Sequence, residues 1–265
     1  MKERTTSVRI IGLGLLGITA CGAPDPSAEV ASDTTREHEA AVPSFTMQVH
    51  FHSTSTDTSG MEADLRIIER KLGRLDAGIR NELTIAQVRY YSFTDSTCTV
   101  VDTSQLWSGA LVVHSCIVEE VRALFEELER DTFPVAKVVP INRYGLNADS
   151  TGWNDAASME DNNTSAFNYR SKPTSTEASK HAQGIAIDIN PRLNPMVRVD
   201  EAGTVVEPSN GQYRPGTPGT LDRAFTTHYL AGRGWSWGGR WPRPQDHQHI
   251  EKSRGSCPHM RFTLE

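Results

Sequence analysis

The run Ile185-Ala186-Ile187-Asp188-Ile189 constrains the fold of this chain more than any other segment. Its period of two reads as a strand, because successive side chains of a strand point to opposite faces. With the isoleucines on one face, Asp188 must project from the other. Gly184, just before the strand, permits a tight turn that lets His181 fold back over Asp188. A second cluster, Asp246-His247-Gln248-His249-Ile250-Glu251, again joins histidines to carboxylates and follows a stretch crowded with Trp and Gly.

Both clusters suit a metal. A catalytic zinc takes three protein ligands from His, Asp, Glu and Cys and keeps a further position for water. His181, Asp188 and His249 meet that demand. In an unbroken strand His247, His249 and Glu251 share one face, so spacing alone leaves open which histidine binds. A metal-activated water also needs a proton acceptor, and a leaving amine needs a proton. Asp246, three residues before His249, is placed to reach that water without binding the metal. The four cysteines form no C-x-x-C pair, so a zinc ribbon is excluded and any metal falls to His and carboxylates. A formal charge of −6 and the lack of a long basic run argue against a nucleic-acid partner.

The rest of the chain supplies a frame. Met61, Leu65, Ile68, Leu72, Leu75 and Ile79 lie on one stripe of a predicted helix, and residues 85–93 read as a strand. Residues 98–116 predict a hairpin turning at 105–109, with Cys98 and Cys116 equidistant from Trp107. In an exported protein that symmetry predicts a disulfide between Cys98 and Cys116 and leaves Cys257 over. Ile117, Val121, Leu124, Phe125 and Leu128 mark a second helix that stops before Pro134, and 135–141 reads as a strand. Residues 142–180, dense in Asn, Asp, Ser and Thr, predict a long polar loop region, where function concentrates. Val197, Val199, Val205 and Glu207 suggest a small hairpin turning at Gly203. Residues 221–230 predict a helix ending at Gly232, and 247–251 a final strand. This mixture predicts an α+β fold, an antiparallel sheet with flanking helices, in a single domain over 45–265.

The start of the chain reads as an address. Lys2, Arg4 and Arg9 precede an apolar run over 10–20, too short to span a ~30 Å hydrocarbon core. The run ends in Ile18-Thr19-Ala20-Cys21-Gly22, which resembles the lipobox of bacterial lipoproteins. That resemblance implies a signal peptide over 1–20, a lipid on Cys21, and a flexible spacer over 21–44. The chain is then an exported lipoprotein held at the cell envelope, with the membrane as a partner through its lipid.

Beyond single residues, the motifs resemble a family. These are the stretch from Asn162 to Arg170, the S-x-H-x-x-G-x-A-x-D-I-N-P of 179–191, Asn194-Pro195, Trp237-Gly238-Gly239 and the D-x-x-H-x-E of 246–251. Together they are similar to the zinc D-alanyl-D-alanine carboxypeptidases, a family that includes vancomycin-resistance D,D-peptidases and phage endolysins cutting L-alanyl-D-glutamate. The likeness runs over about 134–251. It implies zinc on His181, Asp188 and His249, with Asp246 as general base. It also implies that Arg170 orients the substrate and stabilises the oxyanion, and that Ser179 lies near the substrate. The substrate would be the peptidoglycan stem peptide and the enzyme a monomer. A pairing of Arg170 with a terminal carboxylate favours carboxypeptidase over endopeptidase. Arg240 and Ile250 depart from the family's usual acidic and aromatic residues at those places.

Other readings compete. Gly234-Trp235-Ser236-Trp237-Gly238 satisfies G-x-S-x-G, a serine-hydrolase signature with Ser236 as nucleophile. That motif needs a helix straight after the serine, and Gly239, Pro242 and Pro244 oppose one. No S-x-x-K occurs, and His38-Glu39 lacks the second histidine of H-E-x-x-H. A non-catalytic zinc module would be expected to lack the base, and Asp246 is present. His50 and His52 alternate on one strand face and read as structural, as does His114.

Overall fold

Gly73 decides the first element. It takes φ 96°, a left-handed conformation, and ends helix α1 (Met61–Leu72) where the apolar stripe predicted one longer helix. Leu75 and Ile79 continue the stripe from a separate turn, α2 (Ala77–Arg80), whose start is capped by the Asp76 carboxylate accepting from Gly78 N at 2.8 Å. The broken stripe still buries Leu65, Ile68, Leu75 and Ile79 together, against Val112, Trp153 and Phe167. The computed structural model describes residues 55–172, 177–253, 255 and 257, within a unit spanning Met47–Glu265. The predicted signal peptide, Cys21, the spacer, His50 and His52 lie outside the described residues.

Strands β1 (Leu83–Phe93) and β2 (Val101–His114) form an antiparallel ribbon with a bulge opposite Tyr91 and Ser92. The turn does not fall at 105–109, where the spacing of Cys98 and Cys116 predicts it. The chain turns at 94–100, where Asp95 accepts from Thr97 N and Oγ1, and Trp107 pairs with Tyr90 inside the ladder. Cys98 therefore sits in the turn and Cys116 beyond the far end of β2. A fourteen-residue strand at ~3.4 Å per residue separates them by on the order of 40 Å. The disulfide is Cys116–Cys257, with Cα atoms 5.5 Å apart, and Cys98 is free and buried. Gly109, read as a turn glycine, is a packing glycine: a Cβ there would lie 2.5 Å from both Cβ and O of Val138.

Helix α3 (Val118–Arg130) buries Val121, Leu124, Phe125 and Leu128 and lies against β1. The strand expected over 135–141 is shorter, because Pro140 has no N–H to give a ladder. Only β3 (Lys137–Val138) forms, pairing in parallel with β4 (Asn163–Thr164) after α4 (Asp155–Glu160). The polar region 142–180 thus carries more structure than its composition suggested.

The remaining strands build two three-stranded antiparallel sheets. β5 (Ala186–Asp188), β10 (His249–Lys252) and β8 (Trp235–Trp237) line up in the order β5-β10-β8. β6 (Met196–Asp200), β7 (Gly203–Glu207) and β9 (Gln245–Asp246) follow the order β7-β6-β9. Helix α5 (Arg223–Phe225), capped by Asp222, runs on as a π-turn over Thr226–Leu230. Ile185, Ile187 and Ile189 are fully buried beside Val121, Phe125 and Ile250, as their alternation predicted. The architecture is mixed helix and strand with several small, mostly antiparallel sheets. Among the described residues no helix is long and apolar enough to cross a membrane.

Candidate metal centre

Three local devices bring the candidate ligands together. His181 opens a 3-10 turn, His181–Gln183, held by Ser179, whose Oγ accepts from Ala182 N at 3.1 Å. Gly184 closes that turn at φ 68°, and a Cβ there would lie 2.7 Å from the backbone N of His114. Only glycine fits on both counts. The chain then enters β5, whose Asp188 stands directly opposite His249 of β10 in the antiparallel register. β9 ends at Asp246, so residues 246–251 are not one continuous strand, and strand alternation does not govern His247. His247 turns away to stack on Tyr213 at 3.6 Å, leaving His249 as the inward histidine.

Proton positions follow from the partners. The Ala166 carbonyl can only accept, so the His181 Nδ1 that meets it at 2.6 Å must donate, and Nε2 keeps its lone pair. Likewise His249 Nε2 donates to Glu251 Oε2 at 3.0 Å and presents Nδ1 inward. These two lone-pair nitrogens lie 3.0 Å apart. Asp188 Oδ2 stands 3.2 Å from the first and Oδ1 3.1 Å from the second. Electron-rich atoms packed this way repel unless a proton or a metal cation sits among them. Ligands ~2.05 Å from a tetrahedral zinc would stand about 3.3 Å apart, close to this spacing. The donor set fits zinc in type, number and spread. Glu251 and the Ala166 carbonyl supply the outer hydrogen bonds that fix ring orientation in such sites.

The field around the cluster says the same. Burial opposes charge on His249, yet its bonds to Asp188 and Glu251 prevail and push its pKa up to about 10. Burial also opposes ionisation of Asp188, but His181 and His249 hold that carboxyl well below the usual range. The pocket therefore favours an anionic carboxylate with positive charge beside it, which the His249 ring carries as an imidazolium and would yield to an incoming metal. Asp246 is pushed up to about 6, first by burial and then by the negative charge of Asp188, with His249, His181 and Arg170 pulling the other way. Its Oδ1 is buried and without a hydrogen-bond partner. Arg170 Nε lies 3.1 Å from Asp155 Oδ2, at an angle that makes it an ion pair without a hydrogen bond. Its Nη1 donates to the Ser171 carbonyl at 3.5 Å. A carboxyl with a buried, unpartnered oxygen beside three converging candidate ligands and an arginine can serve metal-assisted hydrolysis.

Residues 173–252 match the D-alanyl-D-alanine carboxypeptidase family. This is the zinc peptidase family that the motifs resemble, and the matched segment holds His181, Asp188, Asp246, His249 and Glu251. It indicates a peptidase. Arg170 lies just ahead of the match. No curated protein and no solved structure matches the chain.

Other residues fall into place around the family segment. Ser179 acts on the turn that carries His181, through its bond to Ala182 N. Ser236 is exposed on β8 and is followed by a 3-10 turn, Gly238–Arg240, with no helix. Both ring nitrogens of His249 are engaged by His181, Asp188 and Glu251, so neither meets Ser236. Arg240 donates to Thr226 Oγ1, and Ile250 is core. His114, Cys116 and Cys257 also cluster, but both sulfurs are spent in the disulfide. Two contacts were not foreseen in the sequence. Glu251 orients His249, and the Trp241 ring lies 5.3 Å from the His249 ring. The Glu251 role was signalled by the two-residue spacing within β10, which puts both side chains on one face.

Proposed function

We propose that the chain is a zinc-dependent hydrolase of peptide bonds in the peptidoglycan stem, cutting at D-alanyl-D-alanine as a carboxypeptidase. The observation that carries this reading is the convergence of His181 Nε2, His249 Nδ1 and Asp188 next to the unpartnered carboxyl of Asp246. Zinc held by His181, Asp188 and His249 would supply the Lewis acidity that lets a water ionise near neutral pH. Asp246 takes the proton of that water and later gives it to the departing amine. Arg170 lends its guanidinium to the oxygen on which charge grows, or to a terminal carboxylate of the substrate. The pairing with a terminal carboxylate favours the carboxypeptidase. Glu251 and the Ala166 carbonyl hold the two imidazoles in the tautomers that face inward.

The proposal extends to location. A lipid on Cys21 and a spacer of about 23 residues, spanning on the order of 25 Å as a coil, would keep the domain within reach of the wall. The test is zinc content, together with hydrolysis of purified muropeptides by the full chain with and without a chelator, following products by mass. One zinc per chain and chelator-sensitive release of D-alanine support the reading. Fragments cut between L-alanine and D-glutamate would move the activity to the endopeptidase branch. Cleavage that survives the chelator would overturn the zinc mechanism.

A further inference from the structure

A second cavity, of about 210 Å³, lies where the β1–β2 turn meets the segment after β5. Arg192 and Arg214 line it together with Ser96, Thr97, Cys98 and Gln212, and no carboxylate is among its lining residues. Arg192 Nε is buried there without a hydrogen-bond partner. Arg214 donates from Nη2 to Gln212 Oε1 at 2.6 Å and makes no ion pair among the described residues. Elsewhere arginines find acids, as Arg89 does with Glu129 and Arg233 with Glu127. Of the acids nearby, Asp95 already accepts from Thr97 N and Oγ1 through its Oδ1, and Asp222 accepts from Gly216 N and Phe225 N. Two positive charges thus share one recess of a chain whose formal charge is −6.

A buried guanidinium nitrogen left without an acceptor calls for one. Two planar forks of N–H donors, with a serine hydroxyl beside them, offer more donors than the two oxygens of a carboxylate would use. Guanidinium forks match the edge of a phosphate, and several can bind one phosphate at once. We propose that this cavity binds a phosphate group, either as free inorganic phosphate or as a phosphoester. The inference is independent of the peptidase reading, because no residue of the metal cluster lines the cavity.

The test is isothermal titration of the full chain, in phosphate-free buffer, with inorganic phosphate, glycerol 3-phosphate, a short poly(glycerol phosphate) and acetate. Saturable binding of a phosphate probe, weakened about tenfold or more in R192Q and again in R214Q, is the expected result. Arg214 is exposed, so R214Q reports on the cavity even where R192Q disturbs folding. Loss in both variants also separates this cavity from phosphate held at the metal cluster. Preference for the polymer or the monoester over inorganic phosphate identifies the source as an ester; the reverse identifies the free ion. The proposal is overturned by no saturable binding of any phosphate probe, by unchanged binding in both variants, or by acetate binding as tightly as phosphate.

Discussion

Asp246 carries a carboxyl raised to about 6 by burial and by the charge of Asp188. A base works only in its deprotonated form, so kcat/KM should rise as pH climbs towards that value and level off above it. A dication on the cluster favours the carboxylate and moves the limb to lower pH. In Asp246→Asn the limb should vanish and turnover should fall by ~100-fold or more, with zinc content unchanged. A retained limb in that variant would assign the base elsewhere. Glu251→Ala removes the acceptor that holds His249, and metal affinity should drop by ~10–100-fold in a competition titration with a chelator. That His181, Asp188, Asp246 and His249 would gather was legible in the sequence because their offsets, three from Asp246 to His249 and seven from His181 to Asp188, are written locally. Spacing alone left His247 and His249 equal, because the inward turn of His249 depends on where β9 ends and β10 begins; only the family resemblance pointed to His249.

Among elements, the β1–β2 ribbon shows why spacing can mislead. Symmetry about Trp107 suggested a hairpin there, whereas the polar run around Asp95 makes the turn and Gly109 exists to admit Val138. Local sequence records that a glycine is needed and does not record which neighbour needs it. Gly109→Ala should cost ~1–3 kcal/mol in denaturant unfolding, because backbone as well as side chain blocks the added methyl. The Cys116–Cys257 bond closes a separation of 141 residues and joins the lead-in to α3 with the segment after β10. Cys257→Ser should lower stability by ~2–4 kcal/mol, measured without reductant, and Cys98→Ser should leave disulfide formation intact. Amphipathic helix α3 was legible to within a residue or two, since its 3.6-residue period needs no distant partner to be recognised.

For the whole molecule, the metal cluster draws on segments far apart in the chain. His181 and Asp188 arrive together, His249 comes some sixty residues later, and the β5–β10 pairing joins them. An ion bound only by the folded chain stabilises it, so stripping metal should lower the melting temperature, and zinc added back should restore it. An unchanged melting temperature would argue that the cluster stays empty in solution. The mixed α+β class was legible from the alternation of periods along the chain. Its division into several small sheets was not, because strand order depends on contacts between remote residues.

The direct opposition of Asp188 and His249 across two short strands carries one more implication. Such strands hold few ladder bonds, so their register rests on the buried isoleucine face. A slip by one residue would set Ile187 or Ile189 against His249 and send the isoleucine face outward. Zinc would find no complete ligand set in that arrangement. An ion held there would therefore act as a proofreader of strand pairing: it would bind the correctly aligned chain alone and leave a mispaired copy unlocked.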